Sequence, residues 1–102
     1  MALKTIKLGT APTELFTSVG TNAFVVGYFC NTDASAVMVN VYAVGAGSTA
    51  SADNLIYNQI NITSLDTYVI DSEKIILDDG ESLWASATTP DVVVATANTI
   101  GV

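Results

Sequence analysis

The feature that most narrows what this chain can fold into is its cadence. Short apolar runs rich in Val, Ile and Thr are each closed by a few polar or glycine residues, and no segment longer than one turn keeps the 3.6-residue period of an amphipathic helix. Residues 22–45, NAFVVGYFCNTDASAVMVNVYAVG, show the pattern most fully. Two apolar runs, 24–30 and 37–44, flank Asn31-Thr32-Asp33-Ala34-Ser35, whose short polar side chains are ordinary turn material, so this stretch predicts a long β-hairpin. Along its second arm Val37, Val39, Val41 and Ala43 share one face, and Met38, Asn40, Tyr42 and Val44 the other.

The rest of the chain follows the same rhythm. Residues 2–8 alternate weakly and suit a short edge strand or an extended arm, and Gly9-Thr10-Ala11-Pro12 then breaks them. Residues 14–19 form a second short strand, and Gly27 marks a bulge or a close backbone approach inside the third. The small-residue stretch 45–54 is an exposed loop with room for one helical turn capped by Ser48 or Thr49. Residues 55–62 resume a strand with Ile56, Ile60 and Ile62 on one face. Residues 67–70 and 74–77 read as two strands separated by a polar kink at 71–73. Asp79-Gly80 is a hairpin signal, because Gly accepts the positive φ a tight turn demands, and it should join 74–77 to the strand beginning at Ser82. There Leu83, Ala85 and Ala87 make a small apolar face opposite Ser82, Trp84 and Ser86. The uncharged, β-branched run 92–102 closes the sheet. About eight short strands at this spacing imply an all-β fold, an antiparallel β-sandwich of the jelly-roll or Greek-key kind. Residues 1–102 form a single domain on this reading, with 1–12 able to act as an N-terminal arm.

Charge and chemistry exclude more than they suggest. The chain has three Lys, no Arg or His, and ten acidic residues, for a net charge of −7. Nothing here can neutralise a run of phosphates or dock on anionic lipid, so neither nucleic acid nor membrane is an expected partner. From Leu8 onward one Lys faces ten acidic side chains, a net of −9, beside a positive segment carrying Lys4 and Lys7. Without His, and with Cys30 alone in an apolar run where it reads as a small core hydrophobe, neither a nucleophilic triad nor a transition-metal site can be assembled. Asp78, Asp79 and Glu81 raise a Ca²⁺ site as an alternative to a solvated turn, and the turn is the expectation, since EF-hand spacing is missing. No enzyme activity and no cofactor or metal are expected. Trp84 and the tyrosines at 28, 42, 57 and 68 admit a sugar-stacking platform, but Trp84 on an otherwise polar face fits a subunit contact better. No apolar run approaches the about 18 residues that span a bilayer, and no leader is evident, so the chain reads as soluble and unsecreted.

One resemblance adds to this reading. A strand entering the Cys-Asn-Thr turn with Ala-Ser-Ala (residues 29–36), the Val-x-Val-Tyr-x-Val strand (39–44), the Gly/Ala/Ser loop running into Ala52-Asp53-Asn54-Leu55-Ile56, and the run IILDDGESLWASA (75–87) resemble small β-sandwich virion proteins of tailed bacteriophages. The likeness spans roughly residues 14–97 and carries no catalytic signature. It implies a structural subunit of the particle, foremost a capsid decoration or cement protein that binds the outer head surface as a homo-oligomer such as a trimer. A neck, tail or fibre component is the alternative, and a carbohydrate-binding module is the alternative from another class. The partners it implies are further copies of the chain and the major capsid protein or another virion protein. The location it implies is the virion, assembled in the host cytoplasm. Lys4, Lys7 and Trp84 are the candidate subunit or capsid contacts.

Overall fold

The computed structural model describes residues 2–71 and 74–102; Met1, Ser72, Glu73 and the side chain of Ala2 lie outside the described residues. Among the described residues run nine strands: β1 Ala2–Lys7, β2 Thr13–Thr17, β3 Asn22–Asn31, β4 Val37–Val44, β5 Leu55–Ile62, β6 Thr67–Ile70, β7 Ile75–Leu77, β8 Ser82–Ala87 and β9 Val93–Gly101. They form two antiparallel sheets. The first is ordered β1-β9-β3-β6, with β7 also on β3; the second is ordered β2-β8-β4-β5.

The order has a simple origin. Strands β6 and β7 lie end to end along β3, opposite its 27–30 and 22–24 segments, so they are two halves of one interrupted edge strand and the expected number of eight is recovered. The pairs β1·β9, β2·β8, β3·β6/β7 and β4·β5 are then the rungs of one long antiparallel ribbon, first half of the chain against second. Coiling that ribbon adds the contacts β3·β9 and β4·β8 and splits it into two facing sheets, which is the jelly-roll arrangement.

Two expected hairpins turn out to be crossings between sheets. β3 and β4 lie in different sheets, so the turn at 31–36 bridges the sandwich. Asn31 explains why. Fully buried, it donates through Nδ2 to the carbonyls of Ser35, Ile62 and Thr63, while Oδ1 accepts from the Asp33 amide. One side chain thus ties β3 to the end of β5 in the opposite sheet. The Asp79-Gly80 turn likewise carries the chain from β7 to β8 in the other sheet, although Gly80 does adopt positive φ, at 85°. The consecutive strands that do hydrogen-bond to each other are β4 and β5, joined by the small-residue loop. That loop holds a 3-10 turn, Ala52–Asn54, capped by Ser51 and not by Ser48 or Thr49; Asn54 returns the bond to the Ser51 amide.

The core lies between the sheets. Phe24, Phe29 and Val93 from the first pack with Leu15, Val39, Val41, Leu83 and Ala85 from the second, and Leu8 closes one end. Each of the Phe, Leu and Val side chains contributes about 1.5–3 kcal/mol by leaving water. The alternation expected for β4 and β8 holds on the inward side, but two other assignments are overturned, the first of them by a bulge. In β5, Gln59 takes φ of 55° and its amide donates to Asn40 Oδ1, so Val41 pairs with Tyr57. Beyond the bulge Tyr57 faces the core and Ile56 is exposed, although Ile60 and Ile62 keep the expected side. Cys30 follows the inward Phe29, so it sits half-buried on the outer face of its sheet and not in the core. Gly27 is a place of close approach: a Cβ there would stand 2.6 Å from Cζ of Phe24. The register shift in β3 falls just before it, between Phe24 and Val26.

Candidate interaction surfaces

The outer face of the first sheet is assembled row by row from the register. Ile76, Ala23 and Ile100 lie side by side across β7, β3 and β9. Val26, Asn98 and Leu3 form the next row, then Val69, Tyr28, Thr96 and Thr5, then Thr67, Cys30, Val94 and Lys7. Several of these are apolar and open to solvent: Leu3 is 71% exposed, Ile76 57%, and Tyr28, Val69 and Ile100 about 40% each. The strands of this sheet contain no Asp or Glu, although the chain has ten. Amid the rows the side-chain oxygen of Asn98 is buried with no hydrogen-bond partner among the described residues, and an unmet buried acceptor costs a folded protein about 1–3 kcal/mol. Sequence reasoning did not single out this face. The signal was there in the absence of carboxylates from β3 and β9 and in the outward alternation Val94, Thr96, Asn98, Ile100.

The second sheet's outer face is different. Trp84 lies between Glu14 and Tyr42, half-buried, with its indole N–H donated to the Ser82 hydroxyl at 2.8 Å. Tyr42 is buried, and its hydroxyl is 3.4 Å from that of Ser86. Beside this pair runs a groove of about 230 Å³ lined chiefly by Thr10, Met38, Asn40, Gln59, Ser86 and Thr88. Its polar groups are partly committed: Asn40 Oδ1 accepts from the Gln59 amide, and the Thr88 hydroxyl accepts from the Met38 amide. The aromatic residues do not gather into one platform. Tyr28 belongs to the first sheet's outer face, Tyr57 packs against the core beside Ile75 along the flank, and Tyr68 stands at the edge opposite Phe29.

The candidate carboxylates serve the backbone. Asp79 Oδ1 accepts from the Gly20 amide and Glu81 Oε1 from the Asp78 amide, while Gly80 donates to the Ser18 carbonyl. The buried Ser18 hydroxyl completes this knot by donating to Gly20 and accepting from Asn22 Nδ2. Among the described residues no three His, Cys, Asp or Glu side chains converge as metal ligands would.

Lys4 and Lys7 lie on β1, which is paired with β9 along its whole length. The segment is therefore an edge strand from residue 2 to 7, the first of the two roles its sequence suits. Both lysines are exposed, and their spacing puts them on opposite faces of the edge. Trp84 is on the other sheet, so the three candidate contacts do not form one patch.

The class these features define is a jelly-roll β-sandwich with one apolar, carboxylate-free outer face. Comparison with protein-family models, curated proteins and solved structures finds no match for the chain.

Proposed function

We propose that this chain is a non-enzymatic structural subunit of a tailed-bacteriophage particle, a capsid decoration protein that adheres to the outer head surface as a homo-oligomer. One observation carries the reading: the outer face built around Tyr28, Val69, Ile76 and Ile100, with Thr5, Thr67, Thr96 and Asn98 among them, is largely apolar and bears no charge except Lys7 at its margin, on a chain of net charge −7. Monomeric proteins seldom leave such a face unpartnered. Standard interfaces bury about 800 Å² per partner, and modest contacts repeated over a lattice multiply into firm attachment. The jelly roll suits the role because capsid proteins use it, and the sequence resemblance points the same way. Neck, tail or fibre attachment would use the same face.

Cosedimentation with empty heads of the encoding phage tests the reading. The chain should pellet with heads, and Tyr28→Asp combined with Ile100→Asp should weaken that binding at least ten-fold while leaving the circular dichroism spectrum unchanged. Equal binding by wild type and double variant would remove the face from the account. The carbohydrate-binding alternative makes a different demand: Trp84→Ala would abolish binding on a glycan array and leave head binding alone.

A further inference from the structure

We infer that the β1 edge of one copy pairs with the β6 edge of a second copy, extending the first sheet from subunit to subunit. Of the four sheet edges, the two in the second sheet are disrupted: β2 shifts register between Glu14 and Phe16, and β5 shifts on both sides of Val41. Bulges of this kind keep an edge from pairing. β1 runs six residues against β9 without a shift, and β6 runs four against β3 without one. The Leu8 amide donates to Val93, so alternation turns the N–H and C=O groups of Leu3, Thr5 and Lys7 outward from β9. The Asn31 amide donates to Asp66, so the same argument turns those of Thr67 and Val69 outward from β3; the Thr67 amide is taken by Asp66 Oδ1, which leaves the Thr67 carbonyl and both groups of Val69 facing outward.

Charge selects the pairing. β1 carries two of the chain's three cations, whereas β6 is bracketed by Asp66 and Asp71, both exposed. Lys74, which donates to the Asp71 carbonyl, lies beyond the second of these. A β1 to β1 pairing would bring four lysines together; β1 to β6 sets lysines against carboxylates. Strand direction agrees, because β1, β9, β3 and β6 alternate in sense and the next copy's β1 therefore meets β6 antiparallel. Such a head-to-tail contact closes into a ring or grows into a filament, and it continues the apolar outer face across copies. The inference deepens the adhesion proposal and takes its biological setting from it.

Sedimentation equilibrium on the full chain supplies the test. Wild type should associate with rising concentration. Thr5→Pro, which removes an outward amide and spares the backbone bonds to β9 while losing the exposed Thr5–Thr96 hydroxyl contact, should weaken association at least ten-fold, as should Lys4→Glu with Lys7→Glu. Adding Asp71→Lys to that last variant, with Asp66 kept because its carboxylate holds the Thr63 hydroxyl and the Thr67 amide, should restore at least part of it. A monomeric wild type, no rescue by the charge swap, or stronger association on Lys4→Ser with Lys7→Ser, as expected if the lysines only guard the edge, would each overturn the pairing. Association without head binding would instead remove the proposed function and leave the pairing standing.

Discussion

Asn31 shows how far one side chain can decide a fold of this kind. Its two polar atoms make four hydrogen bonds at full burial, three of them to carbonyls on two other segments. Asn31→Ala leaves those partners unsatisfied and should cost about 3 kcal/mol in a urea unfolding experiment. Asn31→Asp should cost more, because it keeps the acceptor, loses the donors and buries a charge. Gly27 acts by absence. An added methyl would meet Phe24 Cζ at 2.6 Å and Cε1 at 3.3 Å, in a ring that is itself core. Gly27→Ala should therefore destabilise by about 1–3 kcal/mol, and by clearly less in a Phe24→Leu background, where the ring is gone. Equal cost in both backgrounds would place the strain in the backbone.

Elements respond to bulges in the same local way. The β5 bulge places Gln59 in the left-handed region, where a side chain is disfavoured and glycine is not. Gln59→Gly should raise the unfolding free energy by up to about 1 kcal/mol, and Gln59→Val should lower it, as read by urea denaturation. Losing the bulge would return Ile56 to the inward side and expel Tyr57, so the solvent exposure of Tyr57, followed by its assigned ring resonances in NMR, reports which register is present. This is also where sequence reading reached its limit. Strand positions were legible because period-two patterning survives in β4, β8 and β9. The pairing was not, because Asn31 to Ser35 and Asp79-Gly80 have the composition of hairpin turns and yet cross between sheets. Turn chemistry fixes the reversal of the chain and leaves open which sheet receives it; the distant carbonyls of Ile62 and Thr63, which decide the case at Asn31, cannot be seen locally. Cys30 was misplaced for a related reason: its apolar neighbours belong to both faces of β3, since the outer one is apolar too. The outer face itself was visible only as missing carboxylates, a signal that a search for reactive groups passes over.

At the scale of the molecule, the ribbon makes the two ends of the chain interdependent. β1 and β9 are its first rung, with Ala2 opposite Thr99, and nearly all other rungs also join distant segments. Loop closure must precede such contacts, so folding should be slow for a chain of 102 residues, in the range of milliseconds to seconds. The same topology governs what happens when the first strand is removed. Deleting residues 1–8 takes away the fully buried Leu8 and the core-facing Ile6, and it turns β9 from an interior strand into an edge whose sequence carries no charge. Loss of one fully buried Leu costs about 2–5 kcal/mol, and an uncharged open edge invites aggregation. The truncated chain should therefore unfold at much lower denaturant and aggregate during refolding, whereas Thr5→Pro keeps Leu8, Ile6 and the β9 ladder and should retain most of the stability. Comparing the two by equilibrium unfolding and light scattering separates the strand's place in the core from its exposed edge. Wild-type stability in the truncated chain would mean that β1 is an appendage and that the ribbon closes without its first rung.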